Sequence, residues 1–181
     1  QADLKSGDIV ISNTSANVFH VNGHSGILSS NDVDAKEEIS YHTISGNMKL
    51  ENINTKNFFV DTKSGKIVVN RLTSENIDLV TDTGLMLLNN LTGSGNIKSD
   101  VGKINLSLAE KSKFNLSIQS KVGNISVNVP PAIFFKFKIN TKKIGPTDFP
   151  LNAIIYGNDD YDKIEGYVGK EDSTNLIDLS S

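Results

Sequence analysis

The 181-residue chain has no cysteine, no tryptophan, only four prolines and a single arginine, Arg71. Without cysteine there is no thiol nucleophile, no disulfide framework and no cysteine-built zinc site. With one arginine, the planar fork that most phosphate and carboxylate sites use is nearly missing. The other basic residues are lysines, and a formal charge of −3 leaves no electrostatic case for nucleic acid. Apolar residues reach only 37% and aromatics 7%, with Ser, Thr, Asn and Gly taking up the difference. That is little apolar material for a globule, but it is too regularly spaced for a disordered chain. No run is long or apolar enough to cross a membrane as a helix. No signal peptide is visible, and the opening Gln1 reads as a mature chain whose targeting segment has been removed.

What the chain does have is a repeat. Small-residue–glycine pairs recur at Gly7, Gly26, Gly46, Gly65, Gly84, Gly102 and Gly123, spaced 19, 20, 19, 19, 18 and 21 residues apart. Aligned on glycine, the second position after it reads Ile9, Leu28, Met48, Ile67, Met86, Ile104 and Ile125. The fourth reads Ile11, Ser30, Leu50, Val69, Leu88, Leu106 and Val127. Before the glycine stand two more apolar columns, from Phe19 to Leu116 and from Val21 to Ile118, the first interrupted by Gly95 and the second containing Tyr41. A spacing of two is a strand period with one face inward. Seven after the glycine comes a third apolar anchor: Val33, Ile53, Leu72, Leu91 and Ala109.

Polar columns keep the same register. Thr43, Thr62, Thr81, Ser99 and Ser120 precede the glycine by three, and Asn31, Glu51, Asn70 and Asn89 follow it by five. Both read as ladders of hydroxyls and amides at corners, and the glycine itself reads as a left-handed corner residue. The expected fold is all-β: a single-chain parallel β-helix of roughly seven to eight coils with about nineteen residues per coil. It forms one domain, with regular coils over 1–130 and an irregular excursion, cap and last strand over 131–181. Pro130–Pro131 ends the regular part, because proline cannot donate to a ladder. Ala132 to Asn140 is expected to continue the wall, Lys142 to Asp162 to form an excursion, and Leu176 to Leu179 to form the last strand.

Chemistry-bearing residues are few. His20, His24 and His42 fall in neighbouring coils on outward positions, where a transition metal competes with the plainer reading of three exposed imidazoles. A column two before the glycine runs His24, Ile44, Lys63, Asp82, Asp100 and Lys121. Stacked Asp82 and Asp100 would approach the spacing of a retaining glycosidase pair, but the flanking lysines favour an exposed charge ladder. The loop Asn158–Asp162 lacks EF-hand spacing, since Ile164 stands where an oxygen ligand is needed. The Asn-x-Ser/Thr triplets, such as Asn105–Leu106–Ser107, arise freely in an Asn- and Ser-rich repeat. Ile133–Phe134–Phe135 is expected to cover the end of the solenoid. No catalytic, cofactor or metal residue is assigned from these patterns.

The units SGKIVVNRLTSENIDLVTDTG and VGKINLSL, the closing run VGNISVNVPP and the late segment GYVGKEDSTNLIDLSS resemble the bacterial DUF4097 family, an adhesin-type family, over nearly the whole chain. The resemblance implies a β-helical domain at or outside the bacterial membrane, with some relatives tied to envelope-stress responses. It implies no catalytic motif, so no functional residue is carried over. The expectation is a non-enzymatic extracytoplasmic module that binds or scaffolds a glycan, a cell-wall polymer or an envelope protein. The alternatives are a β-helical carbohydrate-active enzyme and an envelope-stress signalling domain.

Overall fold

Columns of like residues nineteen apart fold by stacking. One unit cannot bury its apolar face, but successive units laid in parallel cover one another and pair their backbones. The computed structural model describes residues 1–141, 154–157 and 162–181. Among these there is no helix, and the strands wind a parallel β-solenoid of about six turns at roughly twenty residues each. The short β1 (Ala2–Leu4) pairs with the end of β2 (Ile9–Gly23), β2 with β3 (Ile27–Ser45), and β3 with β4 (Asn47–Leu108), all parallel. β4 winds through three turns as one continuous strand and carries β5 (Asn115–Val122) and β6 (Ile125–Asn128) beyond it. The register is the one the glycines announce: Leu28 lies on Met48, Ser30 on Leu50, Tyr41 on Val60 and Ile104 on Ile125.

The turn count falls short of the expected seven to eight because the ends do not complete whole turns. β1 supplies three residues of a first turn, and past Asn128 the chain leaves the repeat. β7 (Phe135–Thr141) does continue a wall, as expected, but does not lie on β5. β10 (Leu176–Ser180) slots between them, parallel to both, so the last strand in sequence is not the last in space. β9 (Asp162–Val168) then pairs antiparallel with β7, and β8 (Ile154–Gly157) with β9. An antiparallel pair closes this end of the stack. The remainder of the excursion, and nearly all of the acidic loop, lie outside the described residues.

The core is one continuous cluster from Val21 to Ile177, and the inward columns are nearly all buried. Of the third-anchor column, Val33, Ile53, Leu72 and Leu91 are buried, but in the sixth turn Leu108 takes the place expected for Ala109. Two departures from the apolar columns answer each other. Ser30, in one inward column, and Tyr41, in another, share a hydrogen bond of 2.8 Å between hydroxyls. The Tyr41 ring packs edge-on between Phe19 and Phe58, and burial pushes its phenol up to about 12, against the smaller lowering by Ser30. The hydroxyl column before the glycine is buried as well. Thr43 donates to Thr62 at 2.9 Å, Thr81 to the Thr83 carbonyl and Ser120 to the Gly102 carbonyl. Ser99 Oγ is the one buried side-chain polar atom without a partner among the described residues.

Candidate binding surfaces

The three corners of the turn differ, and the difference decides where a ligand has room. At the glycine corner the backbones nearly touch. A Cβ placed on Gly46, Gly65, Gly84 or Gly102 would lie 1.8–1.9 Å from the carbonyl oxygen of the glycine one turn below. Positive φ, from +110° at Gly7 to +151° at Gly84, accompanies most of these positions. Glycine is therefore required first by contact and second by conformation.

The next corner lies six residues after the glycine, at Asn13, Asp32, Asn52, Arg71 and Asn90. All five have φ between +50° and +60°, the left-handed region that Asn and Asp tolerate best. Sequence reasoning missed this column, although its Asn and Asp content is the signal that marks it. Its side chains form a ladder: Asn52 Nδ2 donates to Asp32 Oδ1 at 2.7 Å, and Arg71 Nε donates to Asn52. Arg71 also holds Glu51 at 2.9 Å, while in the neighbouring amide column Asn89 donates to Asn70 at 2.8 Å.

The third corner, about ten residues after the glycine, absorbs the variation in unit length. The twenty-residue unit carries its extra residue between Ala35 and Glu38, where the register slips. The eighteen-residue unit is shortened between Gly93, stacked on Ser74, and Gly95, stacked on Ile77. The twenty-one-residue unit spends its surplus on the turn at Glu110–Lys113, before Asn115 resumes pairing. Along this corner runs an open groove of about 900 Å³, lined by Lys36, Asn54, Lys56, Glu75, Lys111 and Lys113 among others. Lys56, on its lining, reaches Glu37 at 3.7 Å. At Lys111 the groove meets a second, of about 820 Å³, walled by Pro130, Pro131, Phe134 and Lys170. Ile133 is buried and Phe135 packs on the core, as expected of a cover, whereas Phe134 stands 43% exposed beneath the Lys170 ammonium.

The residues singled out from sequence fall elsewhere. Asn22 pairs with His42 in the ladder, and His20 and His42 are engaged separately. His20 Nδ1 is 2.6 Å from Ser40 Oγ, and His42 Nδ1 is 3.1 Å from Asp61. No group of three His, Asp or Glu side chains suited to a metal occurs among the described residues. Gly84 and Gly102 stack, which sets Asp82 beside Asp100. Lys121 then binds Asp100 at 2.8 Å, with both side chains more than half exposed. This is the charge ladder rather than a free carboxylate pair, and it lies outside both grooves.

Fold and surface together define a parallel β-solenoid with a polar groove at its one length-variable corner. A family model described as Toastrack DUF4097 matches residues 1–143, and the chain belongs to this family. No curated protein and no solved structure matches the chain.

Proposed function

We propose that the domain is a non-enzymatic extracytoplasmic module of the cell envelope. It binds an extended polar polymer, a glycan or cell-wall strand, along the groove of the third corner. The observation that carries this reading is the concentration of every length change and of the open lysine- and asparagine-bearing groove at the same corner. Repeat architectures vary where they bind and stay constant where they stack. A polymer lying across the turns would meet an equivalent set of side chains every strand spacing of about 4.8 Å, which suits weak contacts repeated along a chain. A carbohydrate-active enzyme would instead need free acids facing that groove. The stacked Asp82–Asp100 pair is not there, because Asp100 is engaged by Lys121 on another wall, and the groove's own acids, Asp34 and Glu75, stand two turns apart with Asp34 accepting from Asn54.

The test is calorimetric or NMR titration of the domain with peptidoglycan fragments and bacterial glycans. The reading expects saturable binding to at least one of them, weakened about tenfold by Lys56→Ala with Lys113→Ala. Silence across the panel, or binding indifferent to that pair, would count against the groove.

A further inference from the structure

A different wall carries a second feature, independent of the groove. On the face that follows the glycine corner, outward side chains alternate with the buried columns. The stacked glycines hold Lys66, Leu85 and Lys103 in one line, and Lys49, Val68 and Leu87 in the next. Lys49, Lys66 and Lys103 are exposed, and none forms an ion pair among the described residues. In those turns the one acid on the wall, Glu51, is already held by Arg71. Val68, Leu85 and Leu87 are partly exposed, though they face away from the core. At the adjoining edge Val101 and Val122 are paired and stand 48% and 62% exposed, where earlier turns have Ser45, Ser64 and Thr83.

We infer that this wall docks on an anionic lipid surface. Three uncompensated lysines around partly exposed leucines and valines supply both terms of interfacial binding, attraction to negative headgroups and shallow apolar contact. The parallel ladder sets these side chains in rows one strand spacing apart, a broad face suited to an extended surface. Contact is shallow and reversible, because three lysines and a handful of half-exposed aliphatic groups cannot anchor a protein permanently.

The decisive experiment is co-sedimentation of the domain with phosphatidylglycerol–phosphatidylcholine vesicles, with pure phosphatidylcholine vesicles alongside. The expected result is binding to the anionic vesicles alone, released by added salt. Lys66→Gln with Lys103→Gln should lower the partition coefficient about 25-fold without changing the melting temperature. Lys63→Gln with Lys98→Gln, an equal loss of charge elsewhere on the surface, should lower it far less. Leu85→Ser with Leu87→Ser should weaken binding several-fold and leave its salt dependence intact. Failure to bind anionic vesicles would overturn the inference, as would equal weakening by the two lysine pairs. Binding to soluble polyglutamate as tight as to vesicles would overturn it too, pointing to an acidic protein instead. None of these outcomes bears on the groove, whose ligand is tested separately.

Discussion

The glycine corner and the corner ten residues later solve the same geometric problem in opposite ways. At the first, carbonyls and α-carbons of successive turns are so close that no side-chain atom fits between them. The turn there holds one register from Gly7 to Gly123. At the second, the buried positions are small, with Ala35, Thr55, Ser74 and Ser112 facing inward, and the backbone gains or loses residues from turn to turn. The apolar columns on either side keep their register through these changes, so the corner carries length variation without passing it on. What the contrast teaches is that regularity in this solenoid is pinned at one edge. The opposite edge is left free to differ, and it is there that the groove opens.

Insertion mutagenesis gives the most severe way to break that contrast. One extra glycine between Lys56 and Asn57 lengthens the tolerant corner, and should cost less than about 1 kcal/mol, since a loop pays only slowly for length. The same glycine between Ser64 and Gly65 would push the following strand out of register and turn Ile67 and Val69 outward. That should cost at least about 4 kcal/mol, or abolish folding. Urea denaturation of the two insertions measures both. Equal costs would mean that the two corners are equally plastic and that the grouping of length changes is incidental.

A substitution sharpens the same comparison at smaller scale. Gly84→Ala puts a methyl 1.9 Å from the Gly65 carbonyl at φ +151°, and neither backbone can retreat without parting the ladder. A loss of at least about 3 kcal/mol is expected. A shift in melting temperature no larger than that of a surface alanine would show that the close stack can relax.

The glycine register, the inward columns, the cover formed by Ile133 and Phe135 and the family were all legible in the sequence, because each is a periodic or local signal. Four things were not. The place of β10 between β5 and β7 depends on pairing Leu176 with Asn115 and with Lys136, partners far away along the chain. The left-handed column at Asn13, Asp32, Asn52, Arg71 and Asn90 was hidden by its mixed identities. Arg71 and Asp32 do not look alike until their shared backbone conformation is known. Ser30 and Tyr41 each looked like a flaw in an apolar column. Their partnership crosses from one wall of the turn to another, which a register of columns cannot show. The groove escaped for a related reason, since only the irregular spacings of 20, 18 and 21 hinted at it, and spacing alone does not say where in the unit a residue is added.

The Ser30–Tyr41 bond also offers a measurement inside the walls that both corners brace. Tyr41→Phe leaves the Ser30 hydroxyl buried without its partner and should cost about 1–3 kcal/mol. Adding Ser30→Ala should recover much of that loss. The pH dependence has a definite sign. Folding holds the phenol proton more tightly than the unfolded chain does, at about 12 against 10. The contribution is therefore whole below pH 10 and is lost as pH rises toward 12, at up to about 1.4 kcal/mol per unit. Wild type should lose stability over this window faster than Tyr41→Phe. Parallel curves for the two proteins would mean that the hydroxyl is not confined as the structure has it.

The smallest effect tests whether the left-handed corner is limited by conformation alone, unlike the glycine corner, where contact comes first. Arg71 sits at φ +60°, and its half-exposed guanidinium pairs with Glu51. Asparagine adopts that backbone more readily than arginine, whereas an exposed ion pair is worth at most about 1 kcal/mol. Arg71→Asn should therefore be as stable as wild type or slightly more so. Arg71→Val, branched at Cβ and ill-suited to positive φ, should fall about 1 kcal/mol or more below it. If Asn proved clearly weaker than Arg, the ladder through Asn52 and Glu51 would outweigh the backbone. This corner would then be held by its side chains, much as the glycine corner is held by its carbonyls.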